Sequence, residues 1–250
     1  MDLQGKNIII TGASSGIGRT CAIECSKAGA RVHLVARNLE KLKAVSEMLG
    51  DNVYTINSLD VTNSEEIEPL VSRIVESHGS IDGFIHSAGI QRVQAFRNID
   101  KSHYIDVFSL NTISAFDVSR VLIKKKYCSE TGMSIVFISS VMSVAADAGL
   151  TSYCASKAAL VGGARAMAIE LAPKNIRVNC VSPGTVENTA MTEGLMDSIS
   201  NEEFERIVKH YPMGLGDTQD VAKLCVFLLS EDAKWITGQN IVIDGGYSVK

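Results

Sequence analysis

A chain of 250 residues, 46% hydrophobic and 21% charged, has the make-up of an ordinary globular protein. At this length roughly 70–75% of the unfolded surface is buried on folding, so no disulfide or metal is required to hold a core. With 24 basic against 28 acidic residues the net charge is −4, which excludes the basic surplus that nucleic-acid binding needs.

The polar start Met1–Lys6 leads directly into Ile8-Ile9-Ile10 with no signal-peptide pattern. No apolar run approaches the ~20 residues of a membrane span. Cysteines stand at 21, 25, 128, 154, 180 and 225 without a C-x-x-C pair. Cys21 and Cys25 share a helix face, but no His or Cys cluster completes a zinc set, so no metal site is expected. These features predict a reduced, cytoplasmic protein.

In chain order, short Ile- and Val-rich runs predict strands at Asn7–Thr11, Arg31–Ala36, Val53–Asn57, Ile81–His86, Met133–Ser139, Arg177–Ser182 and Asn240–Ile243. Between them, amphipathic stretches predict helices at Gly16–Ala28, Leu39–Leu49, Ser64–Ser77, Lys101–Lys125, Thr151–Ala172 and Asp217–Leu229. Gly29 is placed to stop the first helix. Capping from within Thr62–Ser64, with Glu65 and Glu66 in the first turn, starts the third. Continuous apolar strands alternating with helices predict an α/β fold of Rossmann type: a doubly wound parallel sheet of about seven strands, helices on both faces. Residues 1–250 read as a single domain. Residues 185–216 interrupt the rhythm with room for two short helices and read as a substrate lid. Six acids there face only Arg206 and Lys209, so this stretch alone carries a net −4.

The first strand runs into Thr11-Gly12-Ala13-Ser14-Ser15-Gly16-Ile17-Gly18, and a helix follows at once. Glycines at 12, 16 and 18 permit a tight turn, close backbone approach to a pyrophosphate and close helix packing. In the first strand-to-helix turn of such a series the motif predicts dinucleotide binding, with Ser14, Ser15 and Ile17 completing the turn. An NAD reader places an acid at the end of the second strand to bond the ribose 2′-hydroxyl. Here that position reads Ala36-Arg37-Asn38. With no carboxylate to repel a 2′-phosphate and Arg37 able to fork onto one, NADP(H) is favoured over NAD(H). Asn38 is placed to cap the next helix.

Tyr153 and Lys157 stand i, i+4 on one predicted helix face, ~6 Å apart along its axis. A tyrosine ordinarily titrates near 10, and a neighbouring ammonium favours its phenolate. Tuned this way, it can give a proton to a carbonyl oxygen or take one from an alcohol. Ser140, 13 residues before Tyr153, ends the fifth strand, where an open α/β sheet places its ligand crevice.

With Asn111 in the long preceding helix, this set resembles the short-chain dehydrogenase/reductase family in its single-domain form. The resemblance runs from Gly5-Lys6 to Asp244-Gly245-Gly246. It implies Asn111, Ser140, Tyr153 and Lys157 as a catalytic tetrad and Asp60-Val61 as the pair receiving adenine. Pro183-Gly184 is implied as the turn at the nicotinamide. Tyr153 would be the general acid/base, Ser140 the partner of the substrate oxygen and Lys157 the ribose ligand. Asn111 would anchor a water. Val186 and Ala88-Gly89 would also line the cofactor.

Two departures stand out. The family's N-N-A-G reads His86-Ser87-Ala88-Gly89, which is expected to alter sheet bonding, with His86 satisfied by backbone. In Pro183–Thr189 the threonine that the family sets on the carboxamide reads Asn188, leaving Asn188 or Thr189 for that contact.

The reading is an NADP(H)-dependent oxidoreductase acting on a small secondary alcohol or ketone. The resemblance also implies a homodimer or homotetramer. A 3-oxoacyl-(acyl carrier protein) reductase is the alternative nearest in layout, but an acidic lid is a poor landing surface for that acidic partner, so the carrier is not favoured. A non-catalytic NADP(H) sensor would tolerate losing Tyr153 or Lys157, and both are present. Epimerases usually add a substrate domain, and a methyltransferase leaves Ser140, Tyr153 and Lys157 unexplained.

Overall fold

The computed structural model describes residues 1–50 and 54–249. Seven parallel strands form one sheet in the order β3-β2-β1-β4-β5-β6-β7. They are β1 (Asn7–Thr11), β2 (Arg31–Ala36), β3 (Tyr54–Ser58), β4 (Gly83–His86), β5 (Met133–Ile138), β6 (Ile176–Pro183) and β7 (Asn240–Ile243). Strand order reverses between β1 and β4, so their carboxyl ends flank the crevice that such sheets use for ligands. Val53, expected to open β3, lies outside the described residues. Ile81, expected within β4, makes only a single bridge to Cys128.

Successive strand residues point to opposite faces. Ile8 and Ile10 of β1 join one apolar cluster and Ile9 the other. The first cluster is closed by α1 (Gly16–Lys27) and α9 (Thr218–Leu229). The second is closed by α3 (Ser64–His78), α5 (Ser114–Leu122) and α6 (Thr151–Leu171). Coverage on both faces explains why the strands read as unbroken apolar runs. Cys21, Cys25 and Cys225 are buried in the first cluster, and all six cysteines are free. Among the described residues no group of His, Cys, Asp and Glu could hold a metal ion, and no helix is long and apolar enough to cross a membrane.

Several element ends shift by a residue or two, and three helices differ from expectation beyond that. The second helix, α2 (Leu39–Ser46), ends before Leu49, its last residues passing into hydrogen-bonded turns. At the start of α3, Asn63 occupies the cap but makes no side-chain bond to the backbone; its amide instead holds Glu66 at 2.8 Å. The expected helix over 101–125 is α4 (Lys101–Phe108) and α5 joined by a π-turn at Ser109–Ile113. The Ser114 N–H reaches Ser109, five residues back, instead of Leu110. Such π-turns concentrate at functional positions. Hydrophobic period carries no trace of one inserted residue.

Candidate active site

The glycine-rich turn takes its shape from contacts with the β4 loop. Gly12 has φ 69°, and a Cβ there would sit 2.6 Å from the Ala88 nitrogen. A Cβ on Gly18 would overlap the Gly12 carbonyl oxygen. Gly18 therefore does not line the cavity as expected of a cofactor ligand: it lets α1 close against the turn. Gly18→Ala should weaken binding of the reduced nicotinamide cofactor about tenfold or more by displacing Gly12, which a fluorescence titration would measure.

Helix α1 begins at this turn with Ser15 as a cap that makes no side-chain bond, and no acid stands in its first turn. Its leading N–H groups and positive dipole end are thus free of a carboxylate and face a cavity of about 700 Å³. This fits a pyrophosphate.

Gly12, Ser14, Ser15, Gly16 and Ile17 line that cavity. So do Arg37, Asp60, Val61, Ala88, Gly89, Pro183, Gly184, Val186 and Thr189, together with Ser140, Tyr153 and Lys157. Asn188 does not: at φ 58° it faces a separate shallow pocket beside Arg19 and Thr20. That leaves Thr189, the cap of α7 (Ala190–Ser198), as the residue on the cavity side.

Arg37, 72% exposed, has its Nη1 3.9 Å from the Asp60 Oδ2. Bonds from the Thr62 N–H and hydroxyl hold the Asp60 carboxyl below the usual range. Asn38 caps α2, its Oδ1 accepting from the Lys41 N–H at 2.9 Å. Lys41 lines the cavity beside Arg37, a position not singled out from the sequence; nothing in a helical lysine marks it before α2 is placed.

Ser140, Tyr153 and Lys157 are all buried. The Lys157 Nζ donates to the Ile138 carbonyl at 2.9 Å and lies 5.8 Å from the centre of the Tyr153 ring. Burial pushes the Tyr153 hydroxyl up to about 12, against the lowering effect of a bond with Ser140. Burial also brings Lys157 down to about 8. At Tyr153 burial outweighs the Ser140 bond. The Tyr153 hydroxyl contacts the Met191 Sδ of α7 at 3.9 Å, so the lid rests on the tyrosine.

Asn111 does not reach the cavity either. Its Oδ1 accepts from the Ile90 N–H (2.8 Å), and its Nδ2 donates to the Ile90 carbonyl (2.9 Å) and the Ser156 hydroxyl (3.0 Å). Both amide hydrogens are spent on the loop after β4 and on α6. Asn111 thereby holds Ile90 on the cavity wall.

The His86 ring is satisfied by backbone and side chains together. Its Nδ1 lies 2.9 Å from the Thr11 hydroxyl, and its Nε2 lies 3.3 Å from the Leu110 carbonyl and 3.4 Å from the Ser114 hydroxyl. It thereby ties β1 to the π-turn that carries Asn111.

The stretch 185–216, read from the sequence as a lid, contains α7 and α8 (Asn201–Val208). Its two ends are joined by backbone bonds, Glu187 N–H to Gly216 and Gly216 N–H to Thr185. Tyr211 braces the same place. Its hydroxyl accepts from the Thr185 N–H at 3.1 Å, and its ring stacks on Tyr247 at 4.9 Å. Its bond with Thr185 spans 26 residues, a pairing that no spacing along the chain announces.

A family model described as Enoyl-(Acyl carrier protein) reductase matches residues 12–248, nearly the whole chain. A 3-oxoacyl-(acyl-carrier-protein) reductase FabG of Haemophilus influenzae is 36% identical over 245 residues, covering 98% of both chains. The solved structure of a short-chain type dehydrogenase/reductase from Mycobacterium marinum superposes with a TM-score of 0.90 at 29% identity, covering 100% of this chain and 97% of that one. The chain belongs to the short-chain dehydrogenase/reductase family. It is an oxidoreductase of that family, whose members work with a nicotinamide cofactor. Levodione reductase, at 27% identity and a TM-score of 0.93, covers 98% of both chains. Similarity in fold thus spans relatives named for different substrates, and the residues of the site must decide between them.

Proposed function

We propose that this short-chain dehydrogenase/reductase is NADP(H)-dependent and interconverts a secondary alcohol and a ketone, with Tyr153 as the proton donor and acceptor. The observation that carries the reading is convergence. One cavity joins a carboxylate-free helix N-terminus, a basic end at Arg37 and Lys41, and the buried Ser140–Tyr153–Lys157 set. The nicotinamide, when bound, supplies or accepts the hydride. Gly12–Ile17 would receive the pyrophosphate, Asp60 and Val61 the adenine, and Ala88, Gly89, Pro183, Gly184, Val186 and Thr189 the rest of the cofactor.

In reduction, Ser140 orients the carbonyl oxygen and Tyr153 protonates it. The resulting phenolate is stabilised by the Lys157 ammonium below. A hydroxyl raised to about 12 is protonated at neutral pH, as a proton donor must be.

Arg37 and Lys41, with no acid at the end of β2, support NADP(H) over NAD(H). Arg37→Ala should raise KM for NADPH about 10–100-fold, the worth of one charge-assisted bond, and KM for NADH far less. Equal losses for both would overturn the 2′-phosphate assignment. The function itself is tested by NADPH oxidation with a panel of ketones. A 3-oxoacyl-(acyl carrier protein) substrate is the second reading, favoured by the names of relatives and opposed by the charge of the lid. Exposed Ile105, Ile113 and Ile169 on the two long helical segments support a homo-oligomer.

A further inference from the structure

We infer that the substrate is an uncharged, largely apolar carbonyl compound free in solution, and that the cavity mouth turns away anionic and acidic-carrier-linked forms. This rests on the oxidoreductase reading above and narrows it. Arg37 and Lys41, two of the three lysines and arginines lining the cavity, sit at the end of β2. Three strand spacings, roughly 14 Å, separate β2 from β5, where Ser140 stands. The third, Lys157, is buried with its ammonium on the Ile138 carbonyl.

Beyond Tyr153 the wall is apolar: Val93, Met142, Leu150, Met191, Leu195 and Ile207. Its polar members are Gln91, His210 and Asp147, together with the Tyr211 and Tyr247 hydroxyls, and only Asp147 is an acid. Asp147 is exposed, and its Oδ1 accepts only from the neighbouring Ala148 N–H. Arg92, next to Gln91, is the cation best placed to offset it, but its Nη1 is held by Asp106 at 2.6 Å.

The helices that supply Met191, Leu195 and Ile207 carry acids on their outer faces. Glu193 and Asp197 are exposed on α7, as are Glu202, Glu203 and Glu205 on α8, with Glu187 just before them. Against these six stand Arg206 and Lys209, a net −4 at the lid. A carboxylate approaching the tyrosine meets like charge at the lid and again at Asp147, with no lysine or arginine on the wall beyond Tyr153 to pair with it. An acidic carrier would have to land on the same surface. A neutral ketone meets neither obstacle and gains an apolar wall.

The test pairs each charged substrate with an uncharged counterpart that carries the same reacting ketone. A medium-chain 4-oxo carboxylate is compared with its methyl ester, and a 3-oxoacyl thioester of N-acetylcysteamine with the same acyl group on an acidic carrier protein. In low salt, kcat/KM should favour each uncharged partner about tenfold. The gap should shrink severalfold between about 20 mM and about 500 mM salt as the lid charge is screened. Asp147→Asn should raise the carboxylate-to-ester ratio about threefold. Preference for the carboxylate or the carrier-linked thioester, or a gap indifferent to salt, would overturn the inference. Turnover that survives Tyr153→Phe would instead overturn the reading of the site on which it rests.

Discussion

Tyr153→Phe is expected to lower kcat about 10²–10⁴-fold while leaving the affinity for NADPH within about twofold. The substitution removes one hydroxyl, the group that contacts Ser140 and Met191, and leaves the ring that packs below the lid. No backbone bond is lost, so the fold is retained and the loss is one of proton transfer. The wild-type pH profile gives an independent check. Lys157, brought down to about 8 by burial, is charged below that value and neutral above it. The phenolate left after proton donation needs that charge, so kcat/KM for reduction should fall as pH rises through about 8. The tyrosine at about 12 remains a donor throughout this range. Near-wild-type turnover in Tyr153→Phe would remove the residue from its role. A profile flat from pH 6 to 10 would remove Lys157.

Acid should destabilise the protein through two buried histidines. His33 and His86 are both held down to about 3, chiefly by burial, with His78 and Lys157 respectively adding like charge. Their hydrogen bonds to Thr55 and Thr11, at 2.9 Å each, serve the neutral ring. The unfolded chain binds a proton at each near 6.5 while the folded chain does not. The sign follows: the stability contributed is fully present above about 6.5 and is lost as pH falls toward 3. At pH 5 each histidine should have cost about 2 kcal/mol relative to pH 7. Urea unfolding of wild type, His33→Asn and His86→Asn at both pH values measures this. The quantity read is the difference between the two pH values for each protein, so any loss already present at pH 7 cancels. An unchanged difference in both variants would locate acid sensitivity in other groups.

His86 also marks where reading along the chain reached its limit. Its burial at a strand end was evident from the apolar run before it. Its partners Leu110 and Ser114 were not, because they lie across a π-turn that adds one residue to a helix. The bonds of Asn111 to Ile90 and Ser156 were hidden for the same reason. A polar residue inside an amphipathic stretch says nothing of whether its amide faces the cavity or braces the loop behind it.

The chain by itself determined the parallel sheet, since continuous Ile- and Val-rich strands alternating with helices admit little else. Spacing along single elements determined the glycine turn, the Tyr153–Lys157 pair and the absence of an acid after β2. Tertiary structure decided what depends on distance between elements. It set Thr189 rather than Asn188 on the cavity, spent Asn111 on Ile90 and Ser156, and laid Met191 over Tyr153. It also buried the tyrosine, which raises its hydroxyl. Desolvation depends on everything packed around a group, whereas i, i+4 spacing reports only one neighbour.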